Sequence, residues 1–161
     1  MGRLALVLDP EKGLYSAPVM ILRGRTSLST TFPEATNFEM YVDTGSTITS
    51  ISEDIARKLG LDLSQFPREH LGGIGGIRNA PVIPDVTIWL RDEASGPKPA
   101  TLAKVVVWEH TIEKRNRQMA GLPVTESRRM FGVSLLGMDV LKVLRASLVV
   151  NPSQGSGYIE Y

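Results

Sequence analysis

"YVDTGSTITSIS", residues 41–52, sets an aspartate between an apolar run and a Gly-Ser turn. The run before it, "FEMYVD" from Phe38 to Asp43, is short, apolar and bounded by Asn37, which predicts a strand. Asp43 therefore falls where a strand gives way to a turn. It reads as a turn residue, a phosphate-handling residue or a catalytic carboxylate. Asp and Gly are favoured in turns for local backbone reasons, so the four residues alone favour a plain turn. The rest of the chain has to decide.

With 161 residues the chain is read as one domain, 1–161, large enough to bury a core without staples. A net charge of +1 gives no electrostatic reason to expect nucleic acid or an acidic surface as partner. The absence of cysteine excludes disulfides, thiolate metal sites and a cysteine nucleophile. His70 and His110 stand far apart without ligand-type neighbours, so neither a metal site nor a cofactor is expected. The opening "MGRLALVLDPEKG" lacks a signal-peptide core and cleavage site, and no stretch nears the roughly 20 apolar residues of a membrane span. The expectation is a cytoplasmic protein with no membrane partner.

Strand signals dominate. "LALVL" (Leu4 to Leu8) and "APVMILRG" (Ala17 to Gly24) precede the Asp43 strand. "DVTIWLRD" sets Val86, Ile88 and Leu90 against Asp85, Thr87, Trp89 and Arg91, the pattern of a half-buried strand. A hairpin to "LAKVVVW" (Leu102 to Trp108) follows, and "NPSQGS" joins "SLVV" to "GYIEY" as another. Two short helices are predicted. One covers "DIARKLG", with Ser50 and Glu53 at capping-box spacing and Gly60 as the stop; the other is "MDVLKVLRA". The charged stretch from Glu109 to Arg129 lacks a period and reads as a surface-loop insertion.

Two further motifs bear on Asp43. "HLGGIGGIRNAPV" (His70 to Val82) places Gly72, Gly73, Gly75 and Gly76 around Ile74, with strand-like residues on both sides. "SLLGMDVLKVL" (Ser134 to Leu144) runs an apolar strand into a glycine and a short helix. An aspartate turn, a glycine-rich hairpin and then apolar-apolar-Gly before a helix, in that order, resemble the retropepsin-like aspartic proteases. The resemblance covers about Pro18 to Tyr161. It implies a mainly β, retropepsin-like acid protease β-barrel with a glycine-rich flap hairpin and two short helices.

The function so implied is that of an aspartic endopeptidase. Hydrolysing a peptide without a covalent intermediate requires one group to take a proton from water and another to give one to the carbonyl. Two carboxyls sharing one proton do both, because like charges so close cannot both ionise. The chain has one Asp-Thr-Gly, so the second carboxyl is expected from Asp43 of another copy across a two-fold axis, in a homodimer. By the resemblance, Thr44 hydrogen-bonds across that axis and Gly45 allows the tight turn. Ser46 departs from the alanine common in retroviral enzymes. A Ser46 hydroxyl donating to ionised Asp43 would favour the charged form and place the activity optimum on the acid side. The hairpin residues Gly72, Gly73, Ile74, Gly75, Gly76 and Ile77 are expected to close over an extended peptide or protein substrate. Leu135 and Leu136 suit either the core or the floor beneath the catalytic loop. Asp139 reads as structural, at a helix N-terminus.

Two alternatives belong to other classes. A non-catalytic dimerisation or peptide-binding module could share the fold. The phosphate loop of actin-like ATPases and kinases also reads Asp-x-Gly-Ser/Thr-Thr, but that fold needs a second such loop and a much longer chain.

Overall fold

The computed structural model describes residues 2–23, 37–73, 76–92, 96–109 and 133–161. These form ten strands: β1 (Arg3–Asp9), β2 (Leu14–Arg23), β3 (Asn37–Val42), β4 (Ser50–Ser52), β5 (Arg68–Gly73), β6 (Gly76–Leu90), β7 (Lys98–Trp108), β8 (Leu135–Leu136), β9 (Ser147–Asn151) and β10 (Ser156–Glu160). Two α-helices join them, α1 (Glu53–Lys58) and α2 (Met138–Leu144). The hydrogen-bonded order is β5-β6-β7-β4-β8-β3-β2-β1-β10-β9, and a further β2–β6 pairing closes β2, β3, β8, β4, β7 and β6 into a six-stranded barrel. Closure removes the open edges that these strands would otherwise present.

The barrel is filled from the inward positions of each strand. Met40 and Val42 of β3, Ile51 of β4, Ile83, Ile88 and Leu90 of β6, Val105 and Val107 of β7 and Leu136 of β8 belong to one buried cluster. Val140 and Leu141 of α2 join it, as do Ile55 and Ala56 of α1. On β1 the period of two is plain, with Leu4 and Leu6 buried between exposed Arg3, Ala5 and Val7.

The predicted strands are present, with instructive differences. β6 is one strand of 15 residues: its first part pairs with β5, and its second with β7 and β2. Thr87 and Trp89 were expected on a solvated face, yet both are buried. Their cross-strand neighbours cover them, Thr101 with its hydroxyl 3.1 Å from that of Thr87, and Met20 opposite Trp89. β1 pairs with β2 on one side and with β10 on the other.

The helix cap also moves. Ser50 lies within β4, and the residue capping α1 is Ser52, whose hydroxyl accepts the Ile55 N–H at 3.3 Å. A capping-box spacing placed the cap two residues early, because β4 continues through Ile51 to Ser52 by pairing with Val106, Val107 and Trp108 of β7. Glu53 instead begins the helix and pairs with Arg57 one turn on. α2 forms where expected. Of the segment assigned to a surface loop, residues 110–129 lie outside the described residues. No helix among the described residues is long and apolar enough to cross a membrane.

Candidate active site

Asp43 is held by two neighbouring parallel strands. β3 and β8 pair Tyr41 with Leu135 and Val42 with Leu136. The Tyr41 N–H donates to the Ser134 carbonyl at 2.9 Å and the Asp43 N–H to the Leu136 carbonyl at 3.1 Å. The ladder thus reaches Asp43 itself. Successive strand side chains point to opposite faces, so with Met40 and Val42 in the core, Tyr41 and Asp43 share the other face. Both are half-buried. The two leucines divide in the same way: Leu136 is fully buried in the core, while Leu135, opposite Tyr41, is half-buried.

Beyond Asp43 the chain turns at once. The Ser46 N–H donates to the Asp43 carbonyl at 3.2 Å, and the Gly45 N–H donates to Asp43 Oδ1 at 2.9 Å. A Cβ on Gly45 would stand 3.2 Å from that carboxylate oxygen, so the missing side chain keeps the turn tight against it. Thr44 is exposed at the tip. The Ser46 hydroxyl departs from expectation by donating to the Ile48 carbonyl at 2.7 Å. The hydroxyl that would place the optimum on the acid side is therefore engaged within its own loop.

The far side of the loop is fastened to α2. The Met138 N–H donates to the Ser46 carbonyl at 2.9 Å. Thr49 donates to Asp139 twice, from its N–H at 2.9 Å and its hydroxyl at 2.5 Å, and its hydroxyl accepts the Gly137 N–H at 3.0 Å. Asp139 also accepts the Val140 N–H at 2.9 Å. The structural role expected of Asp139 is present, with a richer set of partners than a helix dipole. Gly137 has a steric reason to be glycine, since a Cβ there would lie 2.7–2.9 Å from backbone atoms of Ile48 and Thr49.

Of the hairpin glycines, Gly72 and Gly73 end β5, which lies outside the six-stranded barrel and pairs with β6 alone, and Gly76 begins β6. β5 and β6 pair antiparallel from Arg68–Pro81 to Gly73–Gly76, leaving a two-residue connection whose members, Ile74 and Gly75, lie outside the described residues. Ile77 is 76% exposed, unusual for an isoleucine in a strand. The hairpin connects to the aspartate loop through β7: Val106 pairs with Val82 of β6 and with Ser50 of β4, and its N–H donates to the Thr49 carbonyl at 3.1 Å.

A second polar cluster forms around Tyr41, two residues before Asp43. The Tyr41 hydroxyl donates to Asp9 Oδ2 at 2.6 Å, and Lys12 Nζ donates to the same oxygen at 2.7 Å and to the Tyr41 hydroxyl at 3.1 Å. The N–H groups of Glu11 and Lys12 donate to Asp9 Oδ1 at 3.0 and 3.2 Å. The Lys12 ammonium, and after it the Tyr41 hydroxyl, holds the Asp9 carboxyl far below the usual carboxylate range, while Asp9 raises Lys12. Sequence reasoning missed this cluster. The alternation of β3 could have placed Tyr41 beside Asp43, but Asp9 and Lys12 carry no local signal.

No protein-family model matches the sequence, and no curated protein matches it. The architecture, by contrast, has solved counterparts. The fold is that of the retropepsin-like aspartic proteases. The chain is similar to the crystal structure of a retropepsin-like aspartic protease from Rickettsia conorii, with a TM-score of 0.60 and 17% sequence identity, over 99% of this chain and 91% of that one.

Proposed function

We propose that the protein is an aspartic endopeptidase whose active form is a homodimer, with Asp43 of each subunit supplying one carboxyl of a shared pair. The observation that carries this reading is the setting of Asp43. It ends a β3–β8 parallel ladder in a retropepsin-like barrel, half-buried, with the Gly45 N–H on one carboxylate oxygen. That hydrogen bond leaves the second oxygen to face water and a partner carboxyl. One carboxylate takes a proton from the water as the other, protonated, gives one to the peptide carbonyl. The pair titrates as a coupled unit. Thr44, exposed at the tip of the turn, is available to the partner's loop.

In this reading Gly72, Gly73, Ile74, Gly75, Gly76 and Ile77 form a flap that closes over an extended peptide, excludes water and offers backbone N–H groups to it. The exposed apolar Ile77 supports that assignment. An actin-like phosphate loop does not fit a closed barrel of this topology. A non-catalytic binding module on the same fold remains the second reading, since a fold does not carry its activity with it. Peptide-library cleavage alongside solution mass separates the two. Cleavage by a dimer, abolished in Asp43→Asn with the dimer intact, is the result expected; a dimer that cleaves nothing supports the binding module.

A further inference from the structure

The β1–β2 turn has no part in the chemistry described above, yet it reaches the strand that bears Asp43. β3 presents Tyr41 and Asp43 on one face, two residues or roughly 6.6 Å apart along the strand. The Tyr41 side chain is held at its far end from two directions. It donates to Asp9 and accepts from Lys12, and Asp9 and Lys12 are joined to each other. Asp9 is fixed in turn by two N–H groups of its own turn, and that turn closes with the Gly13 N–H on the Asp9 carbonyl at 2.8 Å. The Lys12 ammonium also stands 5.3 Å from the centre of the Tyr41 ring. A tyrosine at a strand surface normally samples several rotamers; one bound in a closed ring of three charge-assisted hydrogen bonds does not.

We propose that Asp9 and Lys12 are positioning residues for the reaction at Asp43: they pin the Tyr41 hydroxyl so that its ring forms a fixed wall of the peptide-binding cleft beside the catalytic carboxyl. The proposal rests on the protease reading and adds to it a cleft wall governed from the N-terminal turn. The ring contacts the substrate, and Asp9 and Lys12 act through it. Substrate side chains next to the scissile bond then meet a rigid aromatic surface whose polar end is already satisfied. Apolar and aromatic side chains pack against such a wall and are preferred over charged ones, which lose hydration there without a free partner.

Steady-state cleavage of a peptide series varied beside the scissile bond tests this, comparing the wild type with Asp9→Asn, Tyr41→Phe and the double variant, with solution mass and thermal midpoint measured for each. The expected result is a loss of about tenfold in kcat/KM, mostly in KM, with a weaker preference for apolar over charged side chains and an unchanged dimer. The double variant should be no worse than the worse single one, because both remove the same contact. If the wild type is active and Asp43-dependent but Tyr41→Phe and Asp9→Asn keep its kcat, KM and selectivity, the clamp is overturned and the protease reading stands. A loss confined to thermal stability overturns it equally. A wild type that cleaves no peptide in the series overturns both.

Discussion

Asp139 accepts two hydrogen bonds from Thr49, a residue 90 positions earlier, at 2.9 Å from its N–H and 2.5 Å from its hydroxyl. This bond joins the loop that starts at Asp43 to the helix that follows β8. Both strands leading to it, β3 and β8, are hydrogen-bonded to each other. The candidate catalytic loop is thus held at both ends by one pair of elements. Thr49 is fully buried, so its hydroxyl has no water to fall back on.

Asp139→Ala therefore removes the acceptor of three donors at once, the Thr49 N–H and hydroxyl and the Val140 N–H. Hydrogen bonds to a charged group make the expected cost about 2–3 kcal/mol of stability. Thr49→Val should cost less, and the double variant should fall short of the sum. Denaturant unfolding of the three variants measures this, with additive costs as the contrary outcome.

Gly137 and Gly72 make opposite predictions under the same substitution. A methyl at Gly137 meets the Ile48 and Thr49 backbone at 2.7–2.9 Å, and backbone cannot move aside as a flexible side chain can. Gly137→Ala should cost about 3 kcal/mol and displace the loop from Asp43. A methyl at Gly72 meets nothing within 4 Å. Gly72→Ala should leave stability within about 0.5 kcal/mol while slowing peptide cleavage if the hairpin works as a flap. Thermal unfolding and turnover of both variants read this out.

Ser46→Ala addresses the acid-side expectation. The hydroxyl serves the Ile48 carbonyl at 2.7 Å, so its loss should cost about 1 kcal/mol of stability. The acid limb of the pH–rate profile should stay where it is. A limb displaced by a full pH unit in Ser46→Ala would show that the hydroxyl reaches Asp43 in the working dimer.

The Asp9 clamp has its own pH signature. Its carboxyl is held below the usual carboxylate range, by Lys12 first and Tyr41 second. A depressed carboxyl contributes stability that is present above its unfolded value and is lost as the pH falls through its folded one. Asp9→Asn should therefore lower the thermal midpoint by a constant amount from pH 7 down to about 4, with the deficit shrinking only below that. A deficit that disappears between pH 7 and 5 contradicts the clamp's ionic character.

Much of this was legible in the chain. The strand into Asp43, the Gly45 turn, the glycine hairpin and the run from Leu135 into α2 are local patterns, each written within a dozen residues. What escaped depends on partners distant in sequence. β4 has three residues and exists because β7, more than fifty positions later, pairs with it, so Ser50 passed for a helix cap. β1 joins the barrel strand β2 on one side and carries β10, from the other end of the chain, on the other. Thr87 and Trp89 alternate like solvated residues until Thr101 and Met20 are laid beside them. Asp9, Lys12 and Tyr41 form a cluster across 32 positions that no spacing rule anticipates. The reach of the Ser46 hydroxyl was equally hidden, since two acceptors lay within the same short loop.

The central claim is that one site needs an Asp43 carboxyl from each of two subunits, and subunit mixing tests it most directly. Wild type is allowed to exchange subunits with a threefold excess of Asp43→Asn, and peptide cleavage is measured per wild-type subunit. A shared pair predicts a fall to about one quarter, the fraction of wild-type subunits still paired with their own kind. Cleavage that stays unchanged while mixed dimers form would mean that each subunit carries a complete site of its own, contrary to the account.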